Sequence, residues 1–172
     1  GMEIKKLNLV SNNNNRPLKF EYNNEQINIQ LDKTYKKGEK YTVYVEYTAK
    51  PDEYEKQSGR DPMLGTKGLF FINPKGEDKN KPIQIWTQGE TESNSVWFPT
   101  IDQTQQKTTQ EIYMTVPAKY VSLSNGKLIS QKLNADGTRT DYWKMDLPNS
   151  PYLFFMGVGN YAVVKDSWRG KE

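Results

Sequence analysis

The sequence predicts an all-β, largely antiparallel, sandwich-like domain, and three observations support this prediction. Apolar residues alternate with polar ones in most segments, which is the pattern of half-buried strands. Turn signals rich in Gly, Pro and Asn recur at roughly 8–12-residue intervals, a spacing typical of all-β folds. No stretch of the 172 residues supports a helix of more than about three turns. The length suits one domain, so we expect residues 1–172 to form a single unit.

The first half of the chain contains a predicted hairpin and a predicted long strand. Residues 18–22 and 27–31 alternate between apolar and polar side chains, and Asn23-Asn24 between them suits a tight turn. After a turn at 37–39, alternation over 41–47 predicts a half-buried strand. The chain opens directly on an alternating segment, and we therefore expect the first strands of the domain to be missing.

The middle of the chain combines a long loop with two short strands. Gly, Pro and charged residues fill 50–68, which predicts a loop. Leu69–Ile72 is apolar throughout and predicts a buried strand, and residues 83–86 predict another. Residues 102–110 have room for a single helical turn. We expect Trp86 to contribute, with the strand over 41–47, to a core between two sheets.

The second half continues with short strands and turns. Alternating apolar residues over 112–116 predict a strand. The segments 124–126 and 135–137 are turn signals, and they predict two hairpins. Residues 152–156 and 161–164 predict two final strands, joined through a segment that contains two glycines.

Two missing residue types exclude more chemistry than any other feature of the composition. The chain has no cysteine, so it forms no disulfide and offers no thiol nucleophile or cysteine-ligated metal site. It has no histidine, so a Ser-His-Asp triad and a histidine zinc site are excluded. Only carboxylates, Lys, Tyr, Ser and Thr remain for catalysis.

Charge and hydropathy limit the partners. The 24 basic and 21 acidic residues leave a net charge of +3, and the lysines are spread along the chain, so we do not expect nucleic-acid binding. The mean hydropathy of −0.91 indicates a strongly hydrated surface. No apolar run approaches the roughly 20 residues of a membrane helix, so no membrane segment is expected. The composition does not discriminate between cytosol and periplasm.

Gln88 and Glu90 are the first candidates for a binding site. They lie two residues apart at the end of a predicted strand, so we expect them to project to one face. Gly89 between them allows another group to approach the backbone closely. A carboxylate and an amide oxygen on one face suit an ammonium ion, because both accept hydrogen bonds from N–H groups. The competing interpretation is a solvated polar loop, which the residue types alone favour.

Three other groups of residues have a functional and a structural interpretation. Glu90, Glu92 and Asp102 could supply a carboxylate pair for glycoside hydrolysis, although acidic residues this frequent usually lie on the surface. Tryptophans could stack on sugar rings, but aromatic residues in small β domains are more often core. These tryptophans are Trp86, Trp97, Trp143 and Trp168. A lysine cluster around a turn could bind phosphate, but such clusters are usually solvated hairpin tips. The cluster is Lys33, Lys36, Lys37 and Lys40.

Several motifs occur in an order that is similar to a known family. They are Gly68-Leu69-Phe70-Phe71, Ile85-Trp86-Thr87-Gln88-Gly89-Glu90, Trp97-Phe98-Pro99 with Asp102, and Val121-Ser122-Leu123-Ser124-Asn125-Gly126 with Leu128. On these residues the chain resembles the N-terminal β domain of the gluzincin zinc aminopeptidases, the aminopeptidase N and leukotriene hydrolase family. The resemblance covers nearly the whole chain, and its most specific part is Thr-Gln-Gly-Glu followed by Phe-Pro-x-x-Asp.

The resemblance implies a fold and a role for each site residue. The family's domain is a saddle-shaped, largely antiparallel β structure that precedes a thermolysin-like catalytic domain carrying the zinc. Glu90 is implied to bind the free α-amino group of the substrate, and Gln88 to line the first specificity pocket. Thr100 and Thr104 replace a cysteine and a proline that the family often has, and both positions look structural. The zinc motif His-Glu-x-x-His and the Gly-x-Met-Glu-Asn segment are absent.

The resemblance therefore implies a non-catalytic domain that recognises substrate and forms one wall of a cleft. It implies no catalytic residue, metal site or cofactor in this chain, with zinc expected in a catalytic domain outside it. The implied partners are that catalytic zinc domain and peptide substrates with a free N-terminus. The alternative from another class is a β-sandwich binding or adhesion module, for carbohydrate among other ligands.

Overall fold

The computed structural model describes residues 1–11, 14–53, 67–90, 92–164 and 166–170, and strands dominate this part of the chain. The strands are β1 (Met2–Val10), β2 (Arg16–Pro17), β3 (Lys19–Tyr22), β4 (Ile27–Gln30), β5 (Thr42–Ala49), β6 (Leu69–Ile72), β7 (Gln84–Thr87), β8 (Thr108–Pro117), β9 (Val121–Ser124), β10 (Lys127–Leu133), β11 (Thr138–Asn149) and β12 (Met156–Gly159). Short 3₁₀ helices cover Asn94–Val96 and Pro151–Leu153. The all-β prediction is confirmed.

The described strands form four sheets, and every paired neighbour runs antiparallel. Two sheets have three strands, in the orders β2-β1-β5 and β10-β11-β8. A four-stranded sheet has the order β6-β7-β12-β9, and β3 pairs with β4 as the predicted hairpin. The four-stranded sheet positions the candidate site, because Gln88 and Glu90 follow its second strand, β7.

The hydrophobic core lies between the four-stranded sheet and the β10-β11-β8 sheet. Its buried members are Met114, Val116, Trp143 and Val158, with Ile85, Ile112, Tyr120 and Met156 packed against them. Trp86 instead stacks on Phe70, with 4.5 Å between ring centroids. Adjacent residues in a strand point to opposite faces, so when Ile85 enters the core Trp86 cannot. The prediction that Trp86 fills this core is therefore wrong, and the strand predicted over 41–47 belongs to a separate sheet as β5.

A buried carboxylate joins the same two sheets. Asp141 on β11 has no exposed surface, and its oxygens accept hydrogen bonds from Arg139 (2.7 and 2.8 Å), Gln131 (3.0 Å) and the Ser122 hydroxyl (2.6 Å). Trp143 donates its indole N–H to the same hydroxyl at 3.1 Å. Ser122 lies on β9, so this network ties the four-stranded sheet to its neighbour through polar contacts that are fully paired.

Several sequence-based boundaries differ from the structure. The turn at 124–126 is present, but the strands on either side, β9 and β10, belong to different sheets rather than to one hairpin. The strand predicted over 152–156 is wrong: residues 152 and 153 end a 3₁₀ helix, two irregular residues follow, and only Met156 belongs to a strand. Pro151 stands in the first turn of that helix, where proline is tolerated. Residues 161–164 form no strand, and β12 instead begins at Met156. Residues 102–110 contain no helix, and most of the loop predicted over 50–68 lies outside the described residues.

Candidate functional site

The end of β7 brings Gln88 and Glu90 to the surface. The ladder with β6 continues one residue past the strand, since the Gln88 amide donates to the Gly68 carbonyl at 2.9 Å. Thr87 and Gly89 are buried, whereas Gln88 and Glu90 are exposed. This alternation agrees with the two side chains sharing one face. Within the part of the chain that the structure describes, neither side chain makes a hydrogen bond or an ion pair, so both retain their full capacity to accept one.

Gly89, between the two candidates, is packed too closely for any side chain. A Cβ at this position would overlap the Tyr152 carbonyl oxygen and the side-chain amide of Asn94. The Gly89 carbonyl accepts a hydrogen bond from the Ser93 amide at 3.0 Å, which closes the loop behind it. The expectation that glycine permits a close approach here is confirmed, and the approaching groups belong to the protein itself.

Asn94 holds the loop together through its side chain, although no sequence feature singled it out. Its side chain has no exposed surface. The Nδ2 group donates to the carbonyls of Pro151 (2.6 Å) and Phe154 (2.9 Å), and Oδ1 accepts from the Trp97 indole at 2.7 Å. In the sequence Asn94 stands in a polar run that is typical of a solvated turn. Only its position over the Pro151–Leu153 helix makes it an interior residue.

Further contacts join the loop after β7 to the segment before β12. The Thr87 hydroxyl accepts a hydrogen bond from the Met156 amide at 2.9 Å, and Thr87 is 3% exposed. Phe98 stacks on Phe154, with ring centroids 5.5 Å apart and the ring planes within 4°. The backbone that carries Gln88 and Glu90 is therefore held from several sides.

Asp102 has a structural role in this loop. Its Oδ2 accepts a hydrogen bond from the Ser95 amide at 2.8 Å, so the carboxylate holds the backbone next to Asn94. This contact accounts for the aspartate in the Phe-Pro-x-x-Asp motif without reference to catalysis. No observation brings Asp102 together with Glu90 or Glu92 as a pair for glycoside hydrolysis.

The tryptophans and the lysine cluster have mainly structural surroundings. Trp143 lies in the core, Trp97 is bonded to Asn94, and Trp86 is stacked on Phe70. Trp168 is 68% exposed, and the Arg169 guanidinium lies over its ring at 4.3 Å. In the lysine cluster, Lys33 pairs with Glu39 at 3.2 Å, and the same carboxylate accepts from the Lys36 amide. That pattern is a solvated turn, as the structural interpretation expected, but it is not a hairpin tip, because β4 and β5 on either side belong to different sheets.

An apolar row crosses the four-stranded sheet on the face away from the core. Phe70, Trp86, Gly157 and Leu123 are successive cross-strand partners on β6, β7, β12 and β9. Leu123 is 51% exposed, and Phe70 and Trp86 are partly exposed. By strand alternation, the Gln88 side chain continues this face beyond Trp86. We call these four residues and Gln88 the site face.

The described residues offer no fit for a zinc ion. They contain no group of three metal-ligating side chains close enough to share an ion. Structural and catalytic zinc sites use histidine and cysteine as their main ligands, and the chain has neither residue. In the same described segments, no helix has the length and apolarity needed to cross a membrane.

Comparisons with known proteins place the chain in a family. A model of the Peptidase M1 N-terminal domain matches residues 1–153. The fold is similar to an M1 zinc metallopeptidase from Deinococcus radiodurans, solved with a Tyr-Ser-Ala substrate, at a TM-score of 0.72 and 17% identity over 92% of this chain and 32% of that one. It is also similar to Legionella pneumophila aminopeptidase A in complex with aspartic acid, at a TM-score of 0.66 and 22% identity over 92% of this chain and 16% of that one.

Two of the sequence relatives are named as transcription factor subunits rather than as peptidases. The transcription initiation factor TFIID subunit 2 of Danio rerio is 25% identical over 104 residues, which are 59% of this chain and 9% of that protein. The Gallus gallus protein of the same name is 24% identical over 104 residues, with the same shares covered. The chain thus spans a third or less of each of these solved structures and a tenth or less of these relatives. The family model covers most of the chain, and on that match the chain belongs to the Peptidase M1 N-terminal domain family, as the resemblance predicted.

Proposed function

We propose that this chain is the substrate-recognition and cleft-forming domain of a zinc metallo-aminopeptidase, with Glu90 as the anchor for the free α-amino group of a peptide. Gln88 lines the first specificity pocket beside it. Family membership supports a domain of such an enzyme. The observation that carries the finer assignment is the exposed, unpartnered pair of side chains on a backbone held by Gly89 and Asn94.

The chemistry of an aminopeptidase requires such an anchor. The enzyme cleaves one residue from the N-terminus, so the ammonium group lies a fixed distance from the scissile carbonyl. A carboxylate on a rigid backbone accepts a charge-assisted hydrogen bond from the ammonium and sets that distance. Glu90 can do this because the described chain does not engage its oxygens. The Gln88 amide oxygen adds a second acceptor on the same face.

The chain supplies no part of the bond cleavage itself. Zinc would polarise the carbonyl and activate a water molecule when bound in a catalytic domain outside this chain. Glu90 and the residues around it would hold the ammonium and limit access of water to one side of the cleft. We expect the chain alone to be inactive.

The site face is the surface that we assign to that catalytic domain. It contains Trp86, Phe70 and the half-exposed Leu123 in one row, and Gln88 lies at its edge. Apolar surface beside a polar rim is typical of domain contacts. A catalytic domain packed on this face would meet Gln88 and Glu90 at the boundary between the two domains, where substrates commonly bind.

The test uses the full-length protein that contains this chain and the substitution Glu90→Gln, which keeps the shape and removes the charge. The lost charge-assisted hydrogen bond is worth about 1.5–3 kcal/mol. Therefore kcat/KM on peptides with a free N-terminus should fall roughly ten- to a hundred-and-fifty-fold. N-acetylated peptides carry no ammonium and should lose much less. Glu92→Gln is the matched control, because it removes the same charge from another exposed position two residues away. Equal losses on free and acetylated peptides would exclude the anchor assignment.

A second candidate function is an interaction module in a protein that is not a peptidase. The observation in its favour is the match to two proteins that are named as transcription initiation factor subunits. The site face would then contact another protein rather than a catalytic domain. Sequencing the parent chain decides between the two: a His-Glu-x-x-His segment after this domain supports the peptidase, and a different module supports the alternative.

A further inference from the structure

We infer that Asn94 is a positioning residue for the ammonium site, acting through the backbone of Gly89; the inference rests on the proposed function of Glu90. Asn94 carries no charge and is fully buried, so it does not contact substrate. Its importance comes from where its amide lies. Gly89 packs so closely against that amide that no side-chain atom fits between them.

The amide of Asn94 is held in one orientation by three hydrogen bonds. Two donated bonds go to the Pro151 and Phe154 carbonyls, and one accepted bond comes from Trp97. An amide with all these partners paired cannot rotate without leaving buried polar groups unpaired. Asn94 therefore offers Gly89 a rigid surface rather than a mobile one.

Because Gly89 lies between Gln88 and Glu90 in the chain, its packing against the Asn94 amide restricts the backbone of both candidates. Its peptide groups connect Gln88 on one side to Glu90 on the other, and its carbonyl is bonded to the Ser93 amide at 3.0 Å. The Tyr152 carbonyl covers the same glycine. If the Asn94 amide were removed, Gly89 would keep the Tyr152 carbonyl and the Ser93 hydrogen bond but lose the packing of that amide. The Glu90 carboxylate would then sample more positions relative to the ammonium, and small displacements weaken such contacts strongly.

The competing interpretation is that Asn94 only stabilises the fold. A second asparagine with similar hydrogen bonds, Asn125, is a matched control that tests this interpretation. Asn125 anchors the overlapping segment 153–155 with a similar pair of bonds. Its Nδ2 donates to the Leu153 carbonyl at 2.9 Å, and its Oδ1 accepts from the Phe155 amide at 2.6 Å. Asn125 is not among the nearest neighbours of Gly89. Loss of either asparagine should lower the melting temperature, but only loss of Asn94 should disturb Glu90.

The experiment measures binding, with two probes, in the full-length protein. One probe is the zinc-binding hydroxamate of leucine, and the other is the same hydroxamate without the α-amino group. Dissociation constants are determined by calorimetry for the parent protein and for Glu90→Gln, Asn94→Ala and Asn125→Ala. We expect Asn94→Ala to weaken the amino probe roughly three- to thirtyfold relative to the other probe, and by less than Glu90→Gln does. Asn125→Ala should change both probes by the same factor.

Other results separate the inference from the function on which it rests. If Glu90→Gln is selective for the amino probe and Asn94→Ala is not, the positioning role is wrong and the anchor assignment stands. If Glu90→Gln is not selective, the anchor assignment fails and the inference fails with it. Should Asn94→Ala not fold, Trp97→Phe replaces it, because it removes only the indole donor to Oδ1 and keeps an aromatic ring. The same selectivity, smaller in size, is then expected, and its absence overturns the inference.

Discussion

Asp141 provides a quantitative test of how the two main sheets are held together. The change is Asp141→Asn, which keeps the shape but removes the charge that faces Arg139. The carboxylate accepts four hydrogen bonds and is fully buried, and the Arg139 side chain is 16% exposed. Removing one partner of a buried ion pair costs about 3–5 kcal/mol, because the other charge is left uncompensated. For a domain of this size that loss lowers the melting temperature by roughly 6–20 °C.

The pH dependence of stability gives an independent measurement. Burial of the Asp141 carboxyl opposes its ionisation, but hydrogen bonds from Arg139, Ser122 and Gln131 outweigh burial and hold its pKa below the ordinary value. A carboxyl whose pKa is lowered on folding contributes stability above its unfolded pKa of about 3.9 and loses it as pH falls through the folded pKa. The parent protein should therefore lose this contribution below about pH 4, and Asp141→Asn should lack it at neutral pH.

A surface pair provides the control for Asp141. Asp32 and Arg16 form an ion pair at 2.5 Å, but their side chains are 24% and 55% exposed. Solvent screens such pairs, and many of them contribute nothing measurable. Asp32→Asn should therefore leave the melting temperature nearly unchanged. If chemical denaturation shows that Asp141→Asn costs less than about 1 kcal/mol, the buried network does not join the sheets in the way described.

Two further predictions concern the packing of the loop and the metal. Gly89→Ala should destabilise the protein by roughly 1–3 kcal/mol in denaturant unfolding, because the new Cβ overlaps the Tyr152 carbonyl and the Asn94 amide. Gly137→Ala measures left-handed strain without overlap, since Gly137 has open space but a φ of +81°. A cost below about 0.5 kcal/mol for Gly89→Ala would contradict the overlap. The isolated chain should show no tight zinc site in a calorimetric titration, because it has no histidine or cysteine. A single tight stoichiometric site would contradict this.

Local sequence features predicted the elements whose structure depends on near neighbours. The hairpin of β3 and β4 follows from the alternation on either side of Asn23-Asn24. Its loop is longer than the predicted tight turn, because it covers residues 23–26, with a positive φ of 72° at Asn24 only and the Asn23 Oδ1 accepting from the Glu25 and Gln26 amides. The exposure of both Gln88 and Glu90 agrees with the period of two past β7. The same period could not show which face of the strand meets the second sheet. For that reason the prediction placed Trp86 in the core between the sheets, where the structure has Trp143.

By itself, the sequence determined the all-β class, the family and the position of the two candidate side chains, because these depend on periodicity, turn residues and an ordered set of motifs. Only the tertiary structure decided that Asn94 is buried against residues 151–154 and that the Asp141 carboxylate is buried between the sheets. Polar residues at these positions look like surface residues in a sequence. Their burial depends on hydrogen-bond partners 57 and 60 residues away for Asn94 and 19 residues away for the Ser122–Asp141 contact. Such pairings arise from the way the sheets pack, which no local pattern encodes.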